Sequence, residues 1–348
     1  MLTIYFWERA RRRAGGFEQE TAMEYVSLGR SGLKVSRIAL GAFSFGDPAW
    51  QSWVLNAEQS QPIIRRAIEC GINFIDTADM YSNGVSEEIV GSWWPEFARR
   101  EELVLSTKAA GATGPSVNER GLSRKHLFDA IDLSLKRLRT DYVDIYQLHR
   151  ADHTTPVEES LEAMHDIVKA GKARYIGVSN MLAWQLMRTL AICDRRGWVR
   201  PIAIQNHYNL AYREEEREMA PLCELEKIGM TPWSPLARGF LAGNTPRQGA
   251  AVSSRGAADP YIKAYFSEDH DYAVLDEVKA CAGRHNATMP QVALAWLLDK
   301  PMLSAPIIGA TRISHIDSAV GALKLKLTPE DVAALERPYK PHKVLLHL

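Results

Sequence analysis

The feature that most constrains this chain is a rhythm. Short apolar runs recur along it, each breaking off at polar or glycine-rich residues: Ile38–Gly41, Phe74–Thr77, Leu103–Lys108, Val143–His149, Tyr175–Asn180, Ile202–Asn206, Met230–Ser234 and Ala305–Gly309. Runs of this length, bounded by turn-forming residues, read as buried strands. Helical patterning follows most of them, over Ala57–Cys70, Ser86–Arg99, Ser123–Leu138, Pro156–Lys169, Leu182–Arg196, Glu214–Glu226, Met289–Leu298 and Ser314–Leu323. Ser123 suits an N-cap, Pro156 a first turn, and Gly71 and Gly171 fall where helices should stop. Alternation of this kind specifies a parallel sheet, and eight units close it into an α/β (β/α)8 TIM barrel.

The remaining segments are placed around that barrel. Tyr25–Gly29 and Leu33–Arg37 flank the turn Arg30-Ser31-Gly32 and predict a β-hairpin plugging the N-terminal mouth. Two long segments, Phe43–Asn56 and Ala237–His270, are expected on the C-terminal face as lids or substrate walls. Residues 1–22 are expected to be a disordered extension, with 23–348 as a single domain. The extension carries its apolar patch, Leu2–Trp7, before its basic run, Arg9–Arg13, which is the wrong order for a secretory signal.

Composition narrows the class. Lys plus Arg equals Asp plus Glu at 42 each, so no global field points to nucleic acid or an anionic membrane. Cys70, Cys193, Cys223 and Cys281 are scattered without a CxxC pair, as in reduced intracellular proteins, and no apolar run reaches membrane-spanning length. A cytoplasmic location is expected.

Barrels assemble active sites from residues at the C-terminal ends of their strands. Here that rule selects Asp76, Lys108, His149, Ser179, Asn180, Gln205, Trp233 and the turn after Ile308, with Tyr81 just beyond the second run. Asp, Lys and His inside apolar strands are costly unless paired. Together with Tyr81 they suit proton donation to a carbonyl oxygen: a Lys ammonium favours the phenolate and lowers the phenol's pKa, a carboxylate holds the Lys, and the His orients the substrate. No GxGxxG follows the first strand, so a Rossmann dinucleotide domain is not expected. His149 and His153 form an H-x-x-x-H pair at a strand end and loop rather than on one helix face, and no HExxH is present. No metal is expected.

At these residues the chain resembles the aldo-keto reductase superfamily. The matching stretches are Gly71–Ala78, Tyr81, Ser86–Glu88 with Gly91, Ser106–Lys108, Asp141–Asp144, Gln147–His149, Gly177–Asn180 and Trp233–Gly239. Within it, Tyr208–Leu210, Tyr212–Glu216 and Pro338–His342 are most similar to the bacterial 1-deoxyxylulose-5-phosphate synthase-like reductases, with potassium-channel β subunits more distant. The resemblance implies an NADPH-dependent reductase of aldehydes or ketones, in which Tyr81 is the general acid, Asp76 and Lys108 tune it, and His149 orients the carbonyl. It implies that Ser179, Asn180 and Gln205 bind the nicotinamide carboxamide and that Trp233 stacks on its ring. Ser234, Leu236, Arg238 and Gly239 then line the pyrophosphate, and Gly309, Thr311 and Arg312 hold the adenosine phosphate. The chain departs from the commoner pattern at His315, Ser318 and Ala319, where a Gln and a Glu-Asn pair are often found.

Two other classes remain open at this stage: a Schiff-base lyase or aldolase using Lys108, and a cofactor-sensing regulatory subunit similar to the channel β proteins. The partner is expected to be a small-molecule carbonyl compound. Its identity and the oligomeric state are not legible. Trp50, Trp53, Tyr261, Tyr265 and Phe266 suggest an apolar pocket, whereas Arg120 and Arg124 would suit a phosphate.

Overall fold

The computed structural model describes residues 23–247 and 253–344. The expectations for residues 1–22 therefore lie outside the described residues, although Met23 is already buried in the core. A two-stranded antiparallel hairpin, β1 (Tyr25–Ser27) and β2 (Lys34–Ser36), comes first. Eight parallel strands follow: β3 (Ala39–Gly41), β4 (Phe74–Asp76), β5 (Val104–Ala109), β6 (Val143–Leu148), β7 (Ala173–Ser179), β8 (Ala203–Gln205), β9 (Gly229–Met230) and β10 (Ile307–Gly309). Each pairs with its neighbour, β10 pairs with β3, and bridges Met230–Leu303 and Trp233–Ile307 close the ring. This is the (β/α)8 barrel that the alternation predicts.

The helices are α1 (Ala57–Glu69), α2 (Val85–Phe97), α3 (Arg124–Leu138), α4 (Val157–Lys169), α5 (Ala183–Arg196), α6 (Met219–Glu226), α7 (Ser254–Ala258), α8 (Pro260–Tyr265), α9 (Asp269–Arg284), α10 (Met289–Leu298), α11 (Ile313–Gly321) and α12 (Pro329–Glu336). Ser123 accepts from the His126 amide as an N-cap. Asn56, Thr288 and Thr328 begin capping boxes. Gly71 and Gly171 adopt positive φ just past helix ends. None of the described helices is long and apolar enough to cross a membrane.

Three expectations are corrected. The run Met230–Ser234 is an interrupted strand: continuous pairing covers Gly229–Met230 and resumes as single bridges at Trp233, because Pro232 has no N–H to continue the ladder. The helix expected over Glu214–Glu226 begins instead as a 3-10 turn, and α6 starts at Met219. The acidic side chains of that turn are drawn to neighbours: Glu214 accepts from Tyr339, Glu215 from Asn206, and Glu216 pairs with Arg213. Finally, the long segment Ala237–His270, expected as a lid or wall loop, carries two short helices, α7 and α8, capped by the side chains of Ser253 and Asp259.

The hairpin occupies the mouth expected of it. Leu28 and Val35 are fully buried and form one cluster with Ala39, Phe74, Val104 and Ile145, residues at or near the N-terminal starts of their strands. Plugged there, the barrel leaves its C-terminal face for chemistry.

Candidate active site

Strand register brings the polar side chains into one layer. Asp76 ends β4, Lys108 lies opposite Gln147 between β5 and β6, and Ser179 lies opposite Gln205 between β7 and β8. Lys108 is fully buried, and its ammonium donates to Asp76 Oδ2 and to the Thr77 carbonyl, both at 2.6 Å. Asp76 Oδ1 accepts from Gln147 Nε2 and Gln205 Nε2, both at 3.1 Å. A buried ion pair is tolerated only when its remaining lone pairs and protons are answered, and here neutral amides answer them. Burial alone would depress the Lys108 ammonium, but Asp76 and Tyr81 more than reverse this, and its pKa stands above the ordinary value.

Tyr81 sits over this pair. The Lys108 nitrogen lies 5.0 Å from its ring centroid, and His149 meets it edge-on at 5.6 Å. Burial pushes the phenol up, Lys108 opposes, and Asp76 adds to the rise. The expected lowering by Lys108 is real but outweighed, so the phenol stays protonated through neutral pH. Burial, Lys108 and Arg150 hold the His149 imidazole well below its usual range, and its Nδ1 is buried without a hydrogen-bond partner. The site thus holds a neutral phenol, a neutral imidazole and one compensated cation.

Beside them is a flat aromatic platform. Trp233 donates its indole N–H to Asn180 Oδ1 at 3.0 Å, and Asn180 in turn donates to the His149 carbonyl. Asn180 adopts a left-handed φ of 49° to do so. One face of Trp233 is covered by His207, stacked at 4.2 Å and 9°, with Tyr212 stacked behind it. Tyr265 and Phe266 pack edge-on against His207 and are buried, so they support the platform rather than line a pocket. Toward Trp233, Arg238 brings its guanidinium within 5.8 Å of the ring. Ser179 is engaged with the Gln205 carbonyl.

Beyond the platform the site turns cationic. Ser234, Ala237, Arg238 and Gly239 all have positive φ, which coils the chain tightly between Ser234 and Gly243. Asp259 accepts from Arg238 at 2.7 Å and from Arg255 at 3.2 Å, one carboxylate between two guanidiniums. Burial and Arg238 push Arg255 down to about 10, with Asp259 opposing. Arg255 also lies over Trp53 at 4.3 Å, tying α7 to the first long loop, and it approaches Gly309. Leu236 is half-buried beside Arg238, and Thr311 and Arg312 follow Gly309 at the start of α11, with Arg312 exposed at its N-cap.

Sequence reasoning singled out neither Arg255 nor Asp259, nor the roles of Gln147, His207 and Phe43. Phe43 packs on Tyr81 at 4.9 Å and on Trp50 and Trp53. Of the residues proposed for a phosphate, Arg124 pairs with Asp166 on the surface and Arg120 is exposed. His149 is buried whereas His153 is exposed.

The model of the Aldo/keto reductase family matches residues 37–340. Versiconal hemiacetal acetate reductase of Aspergillus parasiticus is 42% identical, covering 92% of this chain and 98% of its own. Aldo-keto reductases of Metarhizium robertsii and Alternaria alternata are 36% and 38% identical, covering 94% and 91% of this chain and the same shares of their own. A barrel with this site, matched over nearly its whole length, belongs to the aldo/keto reductase family.

Proposed function

We propose that the chain is an NADPH-dependent reductase of aldehydes or ketones in which Tyr81 delivers the proton. The observation that carries this reading is the buried Lys108–Asp76 pair set against Tyr81, with neutral His149 at the ring edge. Tyr81 is held protonated, as a donor must be. When it gives its proton to the carbonyl oxygen, the phenolate left behind meets the Lys108 ammonium, so the cation acts where charge develops. His149, uncharged, directs the oxygen by hydrogen bonding.

The residues fit a nicotinamide dinucleotide. Ser179, Asn180 and Gln205 offer hydroxyl and amide groups around the Trp233 indole. Arg238 and Arg255 share a single carboxylate, which leaves a net positive charge for a diphosphate near Ser234, Leu236 and Gly239. Gly309, Thr311 and Arg312 would hold the adenosine phosphate. Arg312 joins a guanidinium to a helix N-terminus there, and no acid stands between Gly309 and Ser314 to prefer a free ribose hydroxyl. When bound, the dinucleotide supplies the hydride for the carbonyl carbon.

Phe43, which packs on Tyr81 and also on Trp50 and Trp53, favours an apolar or aromatic carbonyl compound. The likeness to the bacterial synthase-like reductases rests on its sequence motifs alone, since the relatives described above are fungal. A Schiff base at Lys108 is disfavoured, because an amine nucleophile must be neutral and this one is held protonated. The decisive variant is Tyr81→Phe. Carbonyl reduction, followed by NADPH consumption, should fall by roughly two to four orders of magnitude, with cofactor titration by fluorescence unchanged. Turnover near that of the parent would remove Tyr81 from the mechanism.

A further inference from the structure

Among the described residues, two groups of metal-ligating side chains gather away from the active site: His270, Asp271 and His342, and Cys281, His285 and Asp331. They differ in what already answers them. In the second group, His285 lies 2.6 Å from Asp331, and Arg284 donates twice to the same carboxylate. Its charge is spent within the protein. In the first, His270 Nε2, His342 Nε2 and Asp271 Oδ1 are all buried and none has a hydrogen-bond partner. Buried polar atoms are nearly always satisfied, and a specific exception calls for an explanation.

The distances supply one. His342 Nε2 lies 2.9 Å from Asp271 Oδ1, and His270 Nε2 lies 3.7 Å from the same oxygen. All three atoms fall within 4.8 Å of one another. Ligand atoms at ~2.0–2.2 Å from a zinc-class ion stand roughly 3–4 Å apart. A ring nitrogen 2.9 Å from a carboxylate oxygen would normally hydrogen-bond to it, and this one does not. The approach is an ion pair if the imidazole is protonated, and it is close to the spacing that two ligands of a common ion take.

The ligands are also held in place by their other atoms. Asp271 Oδ2 accepts from the Glu268 amide at 2.9 Å, capping α9 and fixing the carboxylate. The His342 amide donates to Glu214 at 2.8 Å, and its ring packs beside Tyr212 and Tyr339. Such outer contacts set ligand orientation. The Asp271 side chain is 1% exposed and His342 9%, whereas His270 at 19% leaves a way in. Two imidazoles and one carboxylate suit zinc and its neighbours rather than calcium or magnesium, which favour all-oxygen shells. The helix N-terminus opposes a cation, and the Asp271 carboxylate offsets it.

We propose that His270, Asp271 and His342 bind one zinc-class divalent cation, with a fourth position open to water. The ion would clamp the C-terminal tail to the first turn of α9. That turn follows Tyr265 and Phe266, which support the stack behind Trp233, so the clamp braces the platform from outside the active site.

The test uses the full chain without a histidine tag, stripped with a chelator and titrated with zinc by calorimetry. One ion per chain should bind, cobalt(II) should give the visible band of a tetrahedral site, and saturating zinc should raise Tm by about 5 °C. His270→Gln, His342→Gln and Asp271→Asn should each weaken binding by more than the roughly 10–100-fold that outer contacts contribute. Asp271→Asn keeps the oxygen that caps α9, so it tests the ligand even if a histidine variant folds poorly. Cys281→Ser should bind as the parent does. Absence of stoichiometric binding, survival of binding in all three ligand variants, or its loss in Cys281→Ser would each overturn the proposal.

Discussion

At the scale of single residues, the group most at odds with its surroundings is Asp79. It is 1% exposed and neither carboxylate oxygen has a hydrogen-bond partner. Burial and the nearby Glu87 push its pKa up to about 8, with the approach of the Met80 backbone, Arg137 and Lys108 opposing. An unfolded aspartate titrates near ~3.9, so between about pH 4 and pH 8 the folded chain holds a proton that the unfolded chain has lost. The stability contributed by that proton is fully present below about pH 4, fades as pH rises to about 8, and is flat above. Asp79→Asn removes the titration and keeps the shape. We expect the variant to match the parent at pH 4 and to exceed it at pH 9 by up to about 5 kcal/mol. Urea unfolding at both pH values tests this, and a gap that does not widen with pH would show that Asp79 is ionised and paired. The same scale explains what was legible. Asp76, Lys108 and His149 announce themselves because charge within an apolar strand needs a reason. Gln147 sits in the same layer, but an amide in a strand raises no such question. Arg255 and Asp259 become meaningful only once α7 folds toward Arg238, and nothing in the order of residues states that approach.

At the scale of elements, strands were legible because each is short, apolar and punctuated. Helices were legible where an apolar face recurs and a cap begins it. The helix α9 carries such a face, with Val274, Val278 and Cys281 all buried on it, yet it is missing from the helices expected from the sequence, because it follows a glycine- and proline-bearing stretch that masks its start. Packing between helices is less legible, because it depends on what a side chain would meet. Gly91, on α2, shows this. A Cβ there would stand 2.1 Å from the Arg137 carbonyl oxygen and 2.7 Å from the Leu138 backbone. One turn on, Trp94 donates to the Leu138 carbonyl at 2.9 Å, so α2 is docked on the last turn of α3 by a close approach and a hydrogen bond together. Alanine gains up to about 1 kcal/mol over glycine within a helix. Here the obstacle is backbone, which cannot turn aside as a side chain can. Gly91→Ala should therefore destabilise by a net ~1–3 kcal/mol, seen as a lower urea midpoint with an unchanged slope. A variant more stable than the parent would mean that the two helices separate easily.

At the scale of the whole molecule, the barrel separates stability from chemistry by putting them at opposite ends. The C-terminal face spends stability: it buries an ion pair, an unpartnered imidazole nitrogen and two arginines around one carboxylate. At the N-terminal mouth the seat of the hairpin is apolar. There the hairpin lays Leu28 and Val35, both fully buried, against Ala39, Phe74, Val104, Ile145 and Ile202, which come from strands around the ring. Leu28 also precedes Gly29, whose φ of 56° turns the hairpin where a Cβ would strike the Ile202 and Lys227 carbonyl oxygens. Truncating Leu28 to alanine opens a cavity among side chains from several strands, and such sites collapse poorly. Leu28→Ala should cost about 2–5 kcal/mol of stability. Because the plug touches neither Tyr81 nor the Trp233 platform, kcat and KM for carbonyl reduction should stay within about twofold of the parent at temperatures well below unfolding. Tyr81→Phe should show the reverse, with activity lost and the unfolding midpoint kept. Measuring both quantities on both variants tests the separation directly. A Leu28→Ala enzyme that loses turnover while still folded would mean that strain at the plug reaches the strand ends through the barrel, and that the two faces are coupled.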